Sequence, residues 1–469
     1  MSKTTPAGIS QEWIEKYQKN FESSEKNLLA QNVCVQHSLV EMCSSRARKQ
    51  TTQHCFSHKV EKEGSPMTNQ KGSGRCWIFA CNNIMRIPFM KKFNLEEFEF
   101  SQTYLFFWDK VERANYLLDA FVECARNGET YEGRLISHLL HNPSEDGGQW
   151  DMLTNLVEKY GVIPKVCYPE SWSAENSRKI GELLNNRLRE NCMCLHRMVS
   201  AGKTDVEINK EKMNMMEEIY RMMCIVLGTP PTNFTFQYYS KGENDKSPKF
   251  NSLGPLSPQD FYSKHIKPDC LDMEDLVCLV NDPRPQNPYN KLYTVQYLGN
   301  MTGGKRVLYI NKPVDVLKQL AIKSIVDNKS AVWFGCDVGK SFRGNDGYLD
   351  LKGIDYKLVL GIDTHKMNKA ERLMYGESLM THAMVFTGVN LENVEKTNET
   401  PKADKWRVEN SWGNDRGDKG YLVMTDDWFS EYVYEVVISK KLLDAETLAI
   451  LEQEPVVLPA WDPMGALAH

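Results

Sequence analysis

The chain has 469 residues, a formal net charge of −5 and no run of five or six like charges, so its composition lacks the basic block of a strong nucleic-acid binder. Its uncharged apolar runs fall well short of the roughly 18 residues that span a bilayer, and the N-terminus has no apolar signal core. Thirteen scattered cysteines without a repeated spacing favour free thiols in a reducing, cytoplasmic compartment.

Metal sites need ligands at a characteristic spacing, and the sequence does not supply it. Cys192, Cys194 and His196 follow one another at intervals of two residues, which is not the spacing of zinc ligands. A helix that buries its cysteine face explains the same three residues. We therefore expect no metal and no cofactor.

Hydrophobic periodicity divides the chain into a helical front and a strand-rich back. Helices are predicted over residues 11–26, 32–49, 76–93, 102–124 (capped by Ser101), 150–160 and 173–227. The polar segment 239–252 is predicted to be a solvated linker. Strands are predicted over residues 331–338, 382–389, 406–412, 421–425 and 431–439. This order predicts an α+β fold with two facing lobes, one helical and one rich in strands.

One cysteine lies at the start of a predicted helix, directly behind a loop with two glycines. Cysteine attacks as its thiolate, and the unpaired N–H groups of a helix N-terminus lower the pKa of a nearby thiol. The main-chain N–H of this residue, Cys76, would also donate to the oxyanion that forms when the sulfur attacks a carbonyl carbon. The side-chain amide of Gln70 would reach the same oxygen if the loop folds back, although alone it fits an ordinary surface amide.

A thiol nucleophile needs a histidine to carry its proton, and His382 opens an apolar strand. Taken alone, it also fits a core histidine. Asn410 shares a predicted strand face with Trp406 and Trp412, so we expect its amide to be buried and to need partners. A hydrogen bond from the His382 ring to the Asn410 oxygen would fix the tautomer and aim the other ring nitrogen at Cys76, while Trp412 would keep water off that bond.

The sequence resembles the papain-type cysteine peptidases, because four of their elements occur in the family's chain order. These are Gln70, Cys76 with Trp77, His382 with Ala383, and Asn410 followed by Ser411, Trp412 and Gly413. The resemblance implies that Gly147 and Gly148 pair their backbone with an extended substrate. Ser73 stands where secreted members carry a disulfide cysteine, which agrees with a reducing compartment.

About 300 residues separate Cys76 from His382, against roughly 130 to 150 in papain-type enzymes, so a large insertion is expected. Strings such as NQKGSGRCWIFA and LVNDPRPQNPYNKLYTV resemble the bleomycin hydrolase family of papain-like aminopeptidases over the whole chain. This implies an N-terminal helical extension (1–60), a helical lobe with the cysteine (61–180), a mostly helical insertion (181–328), a strand-rich lobe (329–455) and a C-terminal arm (456–469).

The resemblance implies a cytosolic cysteine aminopeptidase that removes N-terminal residues from peptides and cleaves related amides such as bleomycin. It also implies a homohexamer in which the C-terminal arm enters each cleft. There the terminal carboxylate of His469, or of Ala468 if His469 is removed, would hold the substrate's α-amino group. A frayed terminus is the alternative for this tail.

Two other functions stay open from the sequence. A ring protein that binds nucleic acid or a partner would carry a vestigial thiol, although a net charge of −5 predicts weak nucleic-acid binding. A thiolactone hydrolase or acyl transferase would use the same triad with a different acyl acceptor. We expect peptide and small-amide substrates and no membrane partner.

Overall fold

The computed structural model describes residues 8–241, 247–392 and 401–466. Its helices are α1 (Gln11–Glu22), α2 (Glu25–Cys34), α3 (Leu39–Met42), α4 (Arg46–Thr51), α5 (Cys76–Lys92), α6 (Gln102–Arg126), α7 (Arg134–His141), α8 (Trp150–Tyr160), α9 (Trp172–Glu175), α10 (Arg178–Ser200), α11 (Asp205–Leu227), α12 (Pro258–Phe261), α13 (Val314–Val326), α14 (Tyr356–Leu360), α15 (Lys369–Met374), α16 (Asp426–Tyr432) and α17 (Ala445–Ile450). Shorter helical turns of 3-10 or π geometry cover Tyr262–Ile266, Met273–Asp275, Lys440–Leu442 and Pro463–Gly465.

The strands are concentrated in the second half of the chain. They are β1 (His58–Lys59), β2 (Phe234–Ser240), β3 (Lys249–Leu256), β4 (Leu276–Val280), β5 (Lys291–Val295), β6 (Tyr309–Asn311), β7 (Val332–Cys336), β8 (Phe342–Arg343), β9 (Tyr348–Leu349), β10 (His382–Glu392), β11 (Lys402–Glu409), β12 (Tyr421–Thr425), β13 (Val433–Ser439) and β14 (Val456–Leu458). The predicted α+β fold is confirmed.

One large sheet organises the back half of the molecule. Its strands follow the order β14, β5, β6, β4, β13, β7, β10, β11, β12, β9 and β8, and β1 pairs with β10 outside this path. β10 is antiparallel to both β7 and β11, so the strand that begins with His382 lies in the interior of the sheet. β7 pairs with this strand from His382 itself, through Cys336, whereas β11 pairs with it from Val385 onward.

Hydrophobic cores cover the sheet on two sides. One core joins the sheet to α5, α6, α8, α10 and α11, and it includes Trp77, Trp150 and Trp333. The other core packs α13 and α16 against strands such as β10 and β11. α5 packs on β10 and β7, so the helix that begins with Cys76 lies against the strand that begins with His382.

Local signals set two of the helices around the site. Ser101 caps α6, because its side chain accepts a hydrogen bond from the backbone N–H of Tyr104. α8 covers residues 150–160 as predicted and ends at Gly161, which has φ +70°. A Cβ at Gly161 would lie 2.1 Å from the carbonyl oxygen of Pro258, so only glycine fits there.

The helix predicted over residues 32–49 is wrong. The region contains the end of α2 and the two short helices α3 and α4. Ser45 ends the helical pattern, because its hydroxyl accepts a hydrogen bond from the N–H of Arg48 and caps a new helix. Serine that bonds to nearby backbone in this way competes with a continuous helix.

The solvated linker predicted over residues 239–252 is also wrong. β2 and β3 pair there as antiparallel strands, apart from the large sheet, and residues 242–246 between them lie outside the described ranges. The strand signal begins before the polar segment, where Phe234 and Phe236 are buried at alternate positions. The polar composition of residues 239–252 does not show the two-residue alternation that is typical of a strand.

The insertion predicted over residues 181–328 is not mostly helical in its second half. It supplies β4, β5 and β6, which join the large sheet, and the arm contributes β14 to the same sheet. The sheet therefore crosses the predicted boundaries of the insertion, the strand-rich lobe and the arm. Sequence periodicity missed this because β4, β5 and β6 are short and almost fully buried.

Two further properties concern the cysteines and the helices. The thirteen cysteines all lie in the described ranges and are free thiols, as predicted. Within those ranges, no helix combines the length and the apolar character that crossing a bilayer would require.

Candidate active site

The first residue of α5 is Cys76, which is fully buried. Its sulfur accepts a hydrogen bond from the main-chain N–H of Ala383, at 3.4 Å. Since Ala383 follows His382 directly on β10, the sulfur and the imidazole belong to touching segments that are about 300 residues apart in sequence. The predicted meeting of helix and strand is therefore present.

His382 and Asn410 form the hydrogen bond that the sequence predicts. The Nε2 atom of His382 lies 2.9 Å from Oδ1 of Asn410, and both side chains are buried. The main-chain N–H of Ser411 donates to the same Oδ1 at 2.8 Å, which identifies this atom as the amide oxygen. Because an amide oxygen only accepts, Nε2 carries the proton, and in the neutral ring Nδ1 is the basic nitrogen.

Burial raises the pKa of the Cys76 thiol to about 12, while the N–H groups of Ala383, Trp77 and Cys76 itself act in the opposite direction. The predicted net lowering of this pKa by the helix N-terminus is therefore wrong. The N–H groups act as expected, but the loss of water around the sulfur outweighs them. The thiolate thus needs a cation beside it, and a protonated imidazole at His382 would supply one.

Gln70 is buried and held in place on both ends of its amide. Its Nε2 donates to the carbonyl oxygen of Ser73 at 2.7 Å, and its Oε1 accepts from the hydroxyl of Ser411 at 2.8 Å. The backbone N–H of Gln70 also donates to the carbonyl of Ser411. An amide nitrogen has two N–H groups, and the bond to Ser73 uses one of them.

Trp412 packs against the imidazole of His382. The ring centroids of Trp412 and His382 are 4.8 Å apart, with an interplanar angle of 33°. The guanidinium of Arg416 lies on the Trp412 ring at 4.9 Å. The indole thus contacts the ring whose Nε2 bonds to Asn410.

The glycine pair 147–148 lies against the start of α5. A Cβ at Gly148 would be 2.6 Å from the Trp77 ring, so glycine is required for this close approach. Nε1 of Trp77 donates to the main-chain oxygen of Asp146 at 2.7 Å. The carbonyl of Gly147 accepts from Nη2 of Arg113 at 2.8 Å, so this oxygen already has a protein partner.

The C-terminal arm reaches the same loop. Nε2 of Gln149, the residue after Gly148, donates to the carbonyl oxygen of Ala466 at 2.7 Å. The described chain ends at Ala466, so the predicted substrate-binding residues Ala468 and His469 lie outside the described residues.

A buried ion pair ties the two catalytic segments together. Arg86 of α5 donates to Glu409 at the end of β11, with 2.7 Å between Nη2 and Oε1, and the side chains are 1% and 0% exposed. Glu409 directly precedes Asn410. Arg86 also donates to the carbonyl of Pro66 at 2.7 Å. The helix that carries the thiol is therefore fixed to the strand that carries the asparagine.

Sequence reasoning missed three residues that shape the site. Ser411 orients Gln70, Arg113 holds the carbonyl of Gly147, and Gln149 holds the arm. Ser411 and Gln149 each adjoin a motif residue, which was an available signal. Arg113 lies on the buried face of α6, where a charged residue inside an apolar helix marks a specific partner.

Three carboxylates elsewhere lie close enough to share an ion: Glu158, Asp272 and Glu274. The ammonium of Lys267 lies within 3.0 Å of Glu158, 3.6 Å of Asp272 and 3.0 Å of Glu274. A protein cation thus already lies among these carboxylates.

Comparisons with known proteins agree with this geometry. The model of the Peptidase C1-like family matches residues 8–465. A protein named bleomycin hydrolase from Mus musculus is 56% identical over 463 residues, covering 99% of this chain and 99% of that protein. Aminopeptidase C of Lactococcus lactis subsp. lactis is 40% identical over 460 residues, covering 98% of this chain and 100% of that protein.

A solved structure gives the same result for the fold. The crystal structure of PepW from Lactobacillus rhamnosis HN001 superposes with a TM-score of 0.92 at 39% sequence identity, covering 98% of this chain and 100% of that one. The predicted resemblance to papain-like aminopeptidases is confirmed over nearly the full length. The chain belongs to the Peptidase C1-like family.

Proposed function

We propose that Cys76, His382 and Asn410 carry the chemistry of a cysteine aminopeptidase in this chain. The observation that carries the proposal is the bonded series from Asn410 Oδ1 to His382 Nε2 at 2.9 Å, with the Cys76 sulfur 3.4 Å from the nitrogen of Ala383. Such a series supplies a nucleophile, a base and a group that orients the base. The family relationship of the chain to aminopeptidase C supports the same activity.

The first half of the reaction forms an acyl-enzyme. Nδ1 of His382 takes the thiol proton, and the Cys76 sulfur attacks the carbonyl carbon of the substrate amide. The N–H of Cys76 and the second N–H of Gln70 donate to the oxyanion. The imidazolium then gives its proton to the leaving nitrogen, the C–N bond breaks, and a thioester to Cys76 remains.

The second half of the reaction hydrolyses the acyl-enzyme and regenerates the free thiol. His382 takes a proton from water, the resulting hydroxide attacks the thioester carbon, and the C–S bond breaks. The released sulfur regains a proton from the imidazolium, and the acid product leaves. Throughout both halves, Asn410 keeps the proton of Nε2 in place and Trp412 shields that bond.

The tail restricts cleavage to the N-terminal residue of the substrate. Support comes from the hydrogen bond between Gln149 and Ala466, which brings the arm to the loop of Gly147 and Gly148. We assign to the terminal carboxylate, on His469 or on Ala468 after removal of His469, the role of binding the substrate's α-ammonium. The substrates are then peptides with a free N-terminus and small amides of the same kind, including bleomycin.

The test is an acid-quenched reaction with an aminoacyl 4-nitroanilide, followed by intact and peptide mass spectrometry. The expected result is a mass increase equal to one acyl group, located on Cys76 among the thirteen cysteines. An adduct on another cysteine, or turnover without any adduct, contradicts the proposal. The intact mass also shows whether His469 is retained.

We extend the proposal to a homohexamer in the cytoplasm. An apolar face on α1 supports assembly, since Trp13 is 50% exposed and Tyr17 is 54% exposed, and no residue of this helix is buried. The free cysteines support a reducing compartment. Native mass spectrometry should find six copies of the 54.0 kDa chain. A monomer at micromolar concentration would contradict the assembly.

A further inference from the structure

The described part of the C-terminal arm, residues 456–466, buries Leu458, Ala460 and Met464 in the core and packs Trp461 against Arg134. It also has polar attachments to the body of the protein at three successive places. β14 pairs in parallel with β5 at its start. Asp462 pairs with Arg284 further along, and Ala466 accepts from Gln149 near its end. The middle contact is a buried, charged one, and this sets it apart from the other two.

Arg284 is held rigidly before the arm reaches it. Asp282 accepts from Nε and Nη2 of Arg284, at 2.9 and 2.7 Å, and both side chains are buried. Asn287 donates to the same carboxylate at 2.6 Å. The guanidinium therefore has one edge bound to Asp282 and presents its other N–H groups in a fixed direction.

Asp462 performs two tasks with one carboxylate. Its oxygens accept from Nη1 and Nη2 of Arg284, at 3.1 and 2.7 Å, which is a bidentate pair. Its Oδ1 also accepts from the N–H of Met464 at 2.9 Å and so caps the turn Pro463–Gly465. The pair therefore fixes the position of Asp462 and the direction in which the chain leaves it.

Leu458, Ala460 and Met464 pack in the core, but open space remains beside the arm. A cavity of about 360 Å³ opens along one side of it, lined by Trp461, Pro463 and Gly465 of the arm and by Tyr116, His138 and Leu379 of the body. β14 is three residues long, and Val456 and Val457 are exposed. Without the ion pair, the segment after β14 has open space beside it.

The position of Asp462 matters because the tail beyond it is short. Ala466 lies beside the loop of Gly147 and Gly148 through Gln149. The three remaining residues span at most about 10 Å when extended. A shift of the arm at Asp462 therefore moves the terminal carboxylate by a large part of its reach.

We infer that Arg284 and Asp462 are positioning residues that set how far the terminal carboxylate enters the groove, and thereby the selectivity for substrates with a free α-ammonium group. This inference rests on the proposed role of the tail. Neither residue touches the reacting atoms. The substrate class that depends on them is the cationic amino terminus of a peptide or amide.

The experiment compares an aminoacyl 4-nitroanilide with its N-acetylated form, which lacks the cation. Asp462→Ser keeps a capping hydroxyl for Met464 but is too short to reach Arg284. Asp462→Asn keeps the cap and one acceptor for the guanidinium. Both leave Arg284 paired with Asp282. Asp346→Ser, which removes ion pairs with Arg343 and Lys49 rather than one with the arm, is the control.

We expect the ratio of kcat/KM for the free over the acetylated substrate to fall at least tenfold in Asp462→Ser, mainly through a higher KM for the free amine. Asp462→Asn should give an intermediate ratio, and the control should keep the wild-type ratio. A general loss of folding would lower both substrates together and leave the ratio unchanged, and such an unchanged ratio in both Asp462 variants overturns the inference.

A chain that ends at Ala466 tests the role of the tail separately from the role of the ion pair. If this truncation lowers the ratio while the Asp462 variants do not, the tail has its proposed role and the ion pair does not position it. If the truncation leaves the ratio unchanged, the role of the tail itself is wrong. A parallel fall in all three variants supports both.

Discussion

The catalytic cluster (Cys76, His382, Asn410 and Gln70) and the arm are fixed in different ways. The cluster is buried, and its members sit at the ends of α5, β10 and β11 or bond to backbone groups. The arm buries Leu458, Ala460 and Met464 in the core, and its polar attachments are one short strand, one ion pair and one hydrogen bond from Gln149. In the proposed function the reaction depends on the cluster and the choice of substrate depends on the arm, so mutations should separate the two.

The largest effect should come from Cys76→Ala, which removes the nucleophile. We expect hydrolysis of aminoacyl anilides to fall at least about a thousandfold, because no acyl-enzyme forms. Thermal unfolding should stay close to that of the wild type, since a small buried side chain is replaced by a similar one. Retained turnover would contradict the assignment of the nucleophile, and the arm should be unaffected.

Asn410→Ala should lower kcat by about a hundredfold, because the imidazole loses the group that fixes its tautomer and orientation. KM should change little, since Asn410 does not contact substrate. The free-to-acetylated ratio should stay at its wild-type value, because the arm is intact. A change in that ratio would show that the two regions are coupled.

Gly148→Ala tests the loop that lies between the two regions. Its Cβ would lie 2.6 Å from the Trp77 ring, and relief of that clash should cost about 1–3 kcal/mol of stability. Urea unfolding measures the loss. Because the loop adjoins both α5 and Gln149, we expect kcat/KM and the free-to-acetylated ratio to change together, which distinguishes this variant from Asn410→Ala.

Ser411→Ala removes the hydroxyl that donates to Oε1 of Gln70. One hydrogen bond of this kind contributes about 1 kcal/mol, so kcat should fall by about threefold to tenfold. The substitution should weaken the hydrogen bond from Gln70 to the oxyanion. The shape of the pH profile of kcat should not change. A wild-type kcat in the variant would show that backbone bonds alone hold Gln70.

Glu435 lies beside the arm, and its effect can be measured as the pH dependence of the free energy of unfolding. It lines a small cavity with Gln149, Pro463 and Met464, and burial raises its pKa from 4.5 to about 8. Between these values the folded state keeps a proton that the unfolded state releases, so this carboxyl makes stability fall as pH rises from about 5 to 8. Glu435→Gln should remove that part of the slope in urea unfolding. Equal slopes in both proteins would contradict this.

Much of the cluster followed from the sequence because its residues lie in short local patterns. The glycine loop before Cys76 predicts a turn into a helix. The tryptophans around Asn410 predict a buried strand face. The strands β4, β5 and β6 did not, since they are short, buried on both faces and recognisable only by their partners in the sheet. Arg284 and Asp462 are far apart in the chain, and no periodicity links them.

The buried pair of Arg86 and Glu409 has a consequence for how the chain can evolve. It fastens the thiol-bearing helix directly to the asparagine-bearing strand, so the reactive geometry does not depend on the length of chain between them. The entropy of closing a longer loop grows only slowly with its length. Parts of the intervening segment outside the site and the large sheet, such as the hairpin of β2 and β3, can therefore change in length without moving the thiol relative to the asparagine.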